Sequence, residues 1–232
     1  MENEFDQDIR EESQENPFGM SVGDLMAALL LIFILLLSST LLRLKNEQEK
    51  QNMVVTNYNE VKKNLYEDLY FTFKDDLTAW KAEIDSSSLT IRFTEPSMLF
   101  DNNQSLLKPQ FQQILKEFFP KYILVLSKPK FRENIEEIRI EGHTDSSGDY
   151  FYNMKLSQDR TRSVLEFAVQ QLNDTTDYPW VLNRLTANGL SSSKLIRNRM
   201  GEENKDASRR VEFRVRTNAE TRIDEIFKII SE

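Results

Sequence analysis

The sequence predicts one N-terminal membrane-crossing helix, a helical linker, and a single C-terminal domain of alternating strands and helices, α/β or α+β in class. Three observations predict it. Residues 25–42 carry no charge over eighteen consecutive positions. No Gly or Pro occurs between Asp24 and Glu95. Beyond residue 86, short alternating runs and helical runs follow one another without an internal repeat.

Composition narrows the function classes. The 232-residue chain has no Cys, which excludes a disulfide scaffold, Cys-ligated zinc, iron–sulfur clusters and thiol catalysis. Its one His, His143, is too little for a His-rich metal site and makes Ser-His-Asp chemistry improbable. No metal and no cofactor are expected. The net charge is −8. Seven acids and one base in residues 1–20 supply −6 of it, so the remainder is nearly neutral. A basic footprint for nucleic acid is absent. The acidic head, residues 1–19, reads as a solvated tail.

The run 25–42 would be about 27 Å long as a helix, close to the ~30 Å hydrocarbon core. It is apolar all round, unlike a buried amphipathic helix. The acidic flank also lacks the basic n-region of a cleaved signal peptide. The span is placed at 20–43. Asp24 lies about one turn inside it, where a carboxylate is expensive and by default functional. Two readings of Asp24 stay open: an ion or proton site facing a partner helix, or an acid favoured by the helix N-terminus. Gly23, Ala27 and Ala28 tip the balance to the first, since small residues let another helix approach. Arg43 and Lys45 after the span would put the C-terminus in the cytoplasm by the positive-inside rule.

Residues 44–85 read as a helical linker. Leu65, Leu69, Phe73, Leu77, Trp80 and Ile84 recur at steps of three and four, one face that could pair with a second copy or pack on the following domain. Asp85-Ser-Ser-Ser88 breaks it. Leu89–Phe93 alternates as a strand. Residues 105–119 are helical and expected to end at Pro120. Ile138–Ile140 is a short strand, and Asp145-Ser-Ser-Gly148 a turn. A helix follows over 156–172, then a weak strand at Leu185–Ala187 and a stronger one through Val211, Phe213 and Val215. Residues 221–230 carry a last helical face. The domain is placed at 86–232.

The run Ile140-Glu-Gly-His-Thr-Asp-Ser-Ser-Gly148, followed by Tyr152-Asn153, Leu156-Ser157 and Arg160, resembles the OmpA-like peptidoglycan-binding family. Ser208-Arg-Arg-Val-Glu-Phe213 is similar to that family's later N-R-R-V-E strand, with Ser208 where Asn is usual. The resemblance covers roughly residues 89–216. It implies an α+β fold, a mixed sheet with helices on one face. It implies that Asp145 and Arg160 bind the stem peptide of peptidoglycan, with Asn153, Leu156 and Thr144 at nearby pocket positions. An Asp suits the ammonium of a diamino acid, and an Arg suits its carboxylate through two parallel hydrogen bonds. In place of the family's usual G-x-G-E loop stands Asn188-Gly-Leu-Ser191.

A helix with an N-proximal Asp followed by such a domain is similar to MotB-type stator subunits. The acidic N-terminus and Ser21-Val-Gly-Asp-Leu-Met-Ala-Ala28 more closely resemble the MotB-like subunits of Zorya anti-phage defence systems. That resemblance implies a homodimer inside a pentameric ring of a MotA-like partner, ZorA, in the bacterial inner membrane. It implies that Asp24 carries protons, Na+ being the other ion such motors use. Peptidoglycan binding requires a periplasmic C-terminus and a cytoplasmic N-terminus, against Arg43 and Lys45. Two bases beside Glu47 and Glu49 are the weaker signal. A flagellar-type stator subunit and a passive wall tether are the alternatives. Nothing points to an enzyme, because no nucleophile–base–orienter set is visible.

Overall fold

The computed structural model describes residues 17–218. The acidic head up to residue 16 and the helical face expected over 221–230 lie outside the described residues. The chain divides into two compact units, 1–52 and 53–232.

Helix α1 spans Pro17–Phe73. Within the first unit, Val22–Lys50 includes a stretch long and apolar enough to cross a membrane, none of it buried by protein. Leu29, Leu30, Phe33 and Leu36 are each about three-fifths exposed. A core helix of a soluble protein would bury such side chains, so this alternative is excluded. Asp24 sits on the same helix, three residues before Ala27, and is likewise uncovered.

In the second unit, α1 ends at Phe73 and a short helix α2, Leu77–Trp80, follows. Strands β1 (Ala82–Asp85) and β2 (Thr90–Phe93) form a hairpin. Next come α3 (Pro96–Leu99), α4 (Pro109–Leu126), α5 (Pro129–Arg132) and β3 (Ile135–Gly142). Helix α6 (Tyr150–Gln170), α7 (Tyr178–Leu182), β4 (Leu185–Gly189), α8 (Lys205–Ser208) and β5 (Val211–Thr217) complete the order. The sheet runs β1-β2-β5-β3-β4, antiparallel except for the parallel β3–β4 pair joined through α6. This is the mixed-sheet α+β fold that the resemblance implied.

Two expectations are corrected. Leu65, Leu69 and Phe73 are fully buried in the domain core, and β1 is a sheet strand. The compact domain therefore begins at Met53, not at residue 86, and the linker expected over 44–85 is largely part of it. The repeated apolar face packs on its own domain because an aromatic cluster receives it. Phe118 is the hub, with ring centroids 5.2 Å from Phe73, 5.2 Å from Phe93 and 5.0 Å from Phe213. Each such pair adds about 0.5–1.5 kcal/mol beyond area burial. The second correction is Pro120, which lies inside α4 instead of ending it. A mid-helix Pro costs ~3 kcal/mol. Burial of Phe118, Phe119, Tyr122, Ile123, Val125 and Leu126 around it outweighs that cost.

Gly142 and Gly189 face each other across β3 and β4. A Cβ on Gly142 would come within 2.6 Å of Thr161 Cγ2 and 2.9 Å of the Ser157 carbonyl oxygen on α6. One on Gly189 would meet the Gln158 backbone nitrogen at 2.3 Å. The pair lets α6 lie directly on the strand ends. Gly189→Ala and Gly142→Ala should each destabilise the domain by about 1–3 kcal/mol, the usual cost of overpacking. Gly189→Ala should be the worse, because the backbone comes closer there, 2.3 Å against 2.9 Å. Both Trp residues, Trp80 and Trp180, are buried in this domain, so tryptophan fluorescence during urea unfolding reads the loss. A Gly189→Ala midpoint equal to wild type would refute the close approach.

Candidate functional site

The turn after β3 begins the site. Asp145 is nearly buried, and its Oδ1 accepts from the Ser147 N–H at 2.8 Å. Its Oδ2 accepts from Arg209 Nη1, and Arg209 Nη2 donates to Asp206. Burial opposes ionisation of Asp145, but Arg209 and Ser147 more than offset it and hold the carboxyl below its usual range.

Helix α6 brings the second group. The Asp149 carboxylate caps it, accepting from the N–H groups of Phe151 at 2.8 Å and Tyr152 at 3.1 Å. Arg160 stands on this helix with its guanidinium 4.8 Å from the Phe100 ring centroid. Its Nε donates to the Gln104 carbonyl at 2.8 Å and one Nη2 hydrogen to that of Asp101 at 3.3 Å. The other donors of the fork make no hydrogen bond to a described residue. Burial and neighbouring Arg209 push this guanidinium down from its ordinary value, while Tyr152 and Asp145 pull the other way.

Arg160 and Arg209 line one cleft of about 340 Å³ with Phe100, Asp101, Asn102 and Asp206. Fixed cations beside carboxylates suit a zwitterionic group with an ammonium and a carboxylate. Arg160 lines this cleft, and Asp145 is bonded by Arg209, which also lines it. Leu156 is half-buried on α6.

Thr144 and Asn153, the other two positions the resemblance implied, are buried. Asn153 Nδ2 donates to the Ser147 carbonyl at 2.9 Å and reaches that of Asp145 at 3.4 Å, bracing the loop from below. The Thr144 N–H donates to the Ser191 carbonyl at 3.0 Å, and the Ser191 N–H to Ser157 Oγ at 3.0 Å. The Asn188–Ser191 segment, where the sequence departs from the family's pattern, is thereby tied to both the Asp145 loop and α6.

Arg209 and the Phe100–Asn102 segment were not singled out from sequence. Arg209 had a signal, since it stands in the Ser208–Phe213 motif. The Phe100 segment had none, because it reaches the cleft only through the packing of α4 and α6.

Behind the cleft, His143 is buried with neither ring nitrogen hydrogen-bonded. Its Nε2 is 3.7 Å from Glu141 and 3.9 Å from Glu212. These three could hold a metal by spacing alone. The carboxylates are already engaged, however: Glu212 by Arg92 at 2.9 Å and by Arg210, and Glu141 by Arg139 at 3.5 Å. Adding a dication among these guanidiniums is unfavourable. The group is a buried charge network.

The profile of the OmpA family matches residues 99–176. Over 228 residues the chain is 39% identical to the Zorya protein ZorB of Escherichia coli (Crooks strain), covering 95% of this chain and 96% of that protein. The chain belongs to the ZorB family. A second ZorB, from another Escherichia coli strain, is 26% identical over 212 residues, covering 89% of this chain and 82% of that one. A solved MotB-like protein from Desulfovibrio vulgaris is similar at 22% identity and a TM-score of 0.49, covering 71% of this chain and 94% of that one. In this ZorB-family chain the OmpA match contains Asp145 and Arg160, while Arg209 lies beyond it.

The network behind the cleft sets a pH dependence. Burial depresses the His143 pKa below its ordinary 6.5, outweighing the pull of Glu141. Burial would raise Glu141, but His143, Lys194 and Arg214 bring it from 4.5 down to about 2. In both cases the unfolded chain binds protons that the folded chain refuses, so stability falls as pH falls. His143 acts from 6.5 downward, and Glu141 from 4.5 toward 2. The urea midpoint should therefore drop below neutral pH, and His143→Gln should flatten the curve between about pH 7 and 5. An unchanged slope there in the variant would remove His143 from the network.

Proposed function

We propose that this chain is the cell-wall-anchored B subunit of a proton-driven, MotAB-like inner-membrane motor in anti-phage defence. The observation that carries the reading is the match to a Zorya protein along nearly the whole chain. The membrane-crossing helix with Asp24 near its start supports the motor half. The cleft lined by Arg160 and Arg209, with Asp145 bonded to Arg209, supports the anchoring half.

In this reading the N-terminus is cytoplasmic and the domain periplasmic. Two copies sit in a MotA-like ring, a ZorA pentamer. Asp24 binds and releases the proton, or Na+, that drives rotation. Arg160 takes the carboxylate of the stem-peptide diamino acid, and Asp145 its ammonium, which competes there with Arg209. The chain performs no covalent chemistry.

Asp24→Asn keeps shape and helix-capping ability but cannot exchange a proton. It should insert and co-purify with its partner yet abolish protection in a plaque assay. Full protection would reject ion translocation through Asp24 and leave a passive tether. Losing a dipole or capping contribution is only ~0.3–1 kcal/mol, too little to disable an assembled complex.

Arg160→Ala should weaken pull-down on purified sacculi by about ten-fold or more, since a charge-assisted contact is worth ~1.5–3 kcal/mol. The full chain in detergent serves for this, with the urea midpoint recorded in parallel because Arg160 also holds the Gln104 and Asp101 carbonyls. Undiminished binding by a folded variant would contradict the anchoring role.

A further inference from the structure

Three consecutive residues of the loop after β3 are each held by a charged side chain from the 203–209 segment. Arg209 bonds the Asp145 carboxylate, Glu203 accepts from the Ser146 N–H at 2.9 Å and from its hydroxyl, and Lys205 Nζ donates to Ser147 Oγ at 3.0 Å. Asp145 itself is not on the cleft wall, whereas Arg209, bonded over it, is. The two arginines of the cleft differ in freedom. Arg160 is fixed by the Gln104 and Asp101 carbonyls and by the Phe100 ring. The Arg209 side chain is 34% exposed and already reaches a second carboxylate, that of Asp206, which is 79% exposed. The Arg209 N–H is tied to the Lys205 carbonyl at 3.1 Å, so the side chain can leave Asp145 for Asp206 while the backbone stays in place. Asp145 keeps its own position in that exchange, because its Oδ1 accepts from the Ser147 N–H.

Arg209 thus occupies on Asp145 the place that a ligand's ammonium would take. Charge decides which ligands can displace it. A ligand that brings an ammonium alone replaces one charge-assisted hydrogen bond by another and leaves Arg209 short of a carboxylate beside Arg160. A ligand that brings an ammonium and a carboxylate supplies the missing partner itself. Lys108 and Arg210, the other cations on the cleft wall, are already paired with Asp101 and Glu212, so the ligand's carboxylate falls to Arg160 and Arg209. We infer that Arg209 is the specificity-determining residue of this site: it stands in for the ligand's cation on Asp145, so that a cation without a neighbouring carboxylate is rejected. This rests on the wall-binding reading above, and it holds whichever way the rest of a stem peptide runs.

The test uses the full chain in detergent and two probes. One is a stem tetrapeptide carrying diaminopimelate, and the other is the same peptide carrying lysine, which keeps the ammonium and lacks the carboxylate. Wild type should bind the diaminopimelate peptide more tightly, by about ten-fold or more. Arg209→Gln removes the internal cation, so it should bind the lysine peptide about ten-fold more tightly than wild type does. A merely structural role would weaken both peptides instead. Arg209→Lys restores a cation and should restore the rejection. Asp206→Asn takes away the carboxylate that receives Arg209, and should weaken the diaminopimelate peptide by roughly two- to five-fold, the worth of an exposed ion pair. A lysine-peptide affinity in Arg209→Gln no higher than in wild type overturns the inference. Should that variant not fold, as read by its urea midpoint, an unchanged affinity in Asp206→Asn overturns it. Equal wild-type affinity for the two peptides also overturns it and leaves the wall-binding reading standing. Failure of wild type to bind either peptide overturns the wall-binding reading, and this inference with it.

Discussion

The close approach of α6 to the ends of β3 and β4 is the constraint on which the site depends. Gly142 and Gly189 stand opposite each other, and neither leaves room for a Cβ beneath the helix. The helix therefore sits against the strand ends, from which the Asp145 loop departs. Ser157 extends the same contact by accepting from the Ser191 N–H, so the loop after β4 is pinned to the helix as well. Distances within the cleft follow from this seating. Asp145 leaves the end of one strand, Arg160 rides on the helix, and Arg209 precedes the antiparallel neighbour β5.

The two faces of the sheet are stabilised differently. On the helix side, Ile138, Ile140, Phe213 and Val215 pack into the aromatic cluster around Phe118. On the other side lies a ladder of charge. Glu141 faces Glu212 and Arg139 faces Arg214 across the β3–β5 pair, and Arg92 of β2 bonds Glu212 and Asp85. Like charges directly opposite one another destabilise a sheet unless cations intervene. Here the guanidiniums of Arg92 and Arg210 reach Glu212, and Arg139 reaches Glu141. His143 completes the arrangement as a neutral, buried ring next to the cleft. The ligand site thus stands on a polar base that is itself sensitive to acid.

The membrane unit obeys other rules. Its long side chains lie uncovered, and a hydrocarbon surround or partner helices supply what a core supplies elsewhere. Asp24 gains its meaning from that setting. A carboxylate on a helix surface is ordinary in water, but beside an apolar run that enters hydrocarbon it is expensive. The cleft of the second unit, by contrast, is lined by residues of one compact domain.

The sequence by itself determined the membrane segment and the α+β class. Each rests on local information: an uncharged run, alternating periodicities, and a motif that spans a strand end, one turn and about three turns of helix. Tertiary structure decided what local patterns leave open. Periodicity marks Leu65, Leu69 and Phe73 as one face but does not name the surface that covers it, and the Phe118 cluster claimed it for the domain. Helix propensity ends a helix at Pro120, but burial of the aromatic residues on both sides carried α4 through. Asn153 carries an amide that could serve a ligand or a loop, and in the structure it bonds the Ser147 carbonyl of the loop. Arg209 is sixty-four positions from Asp145 and joins it only because β5 pairs with β3. Such contacts follow from strand order, which non-local packing selects and no short window of residues contains.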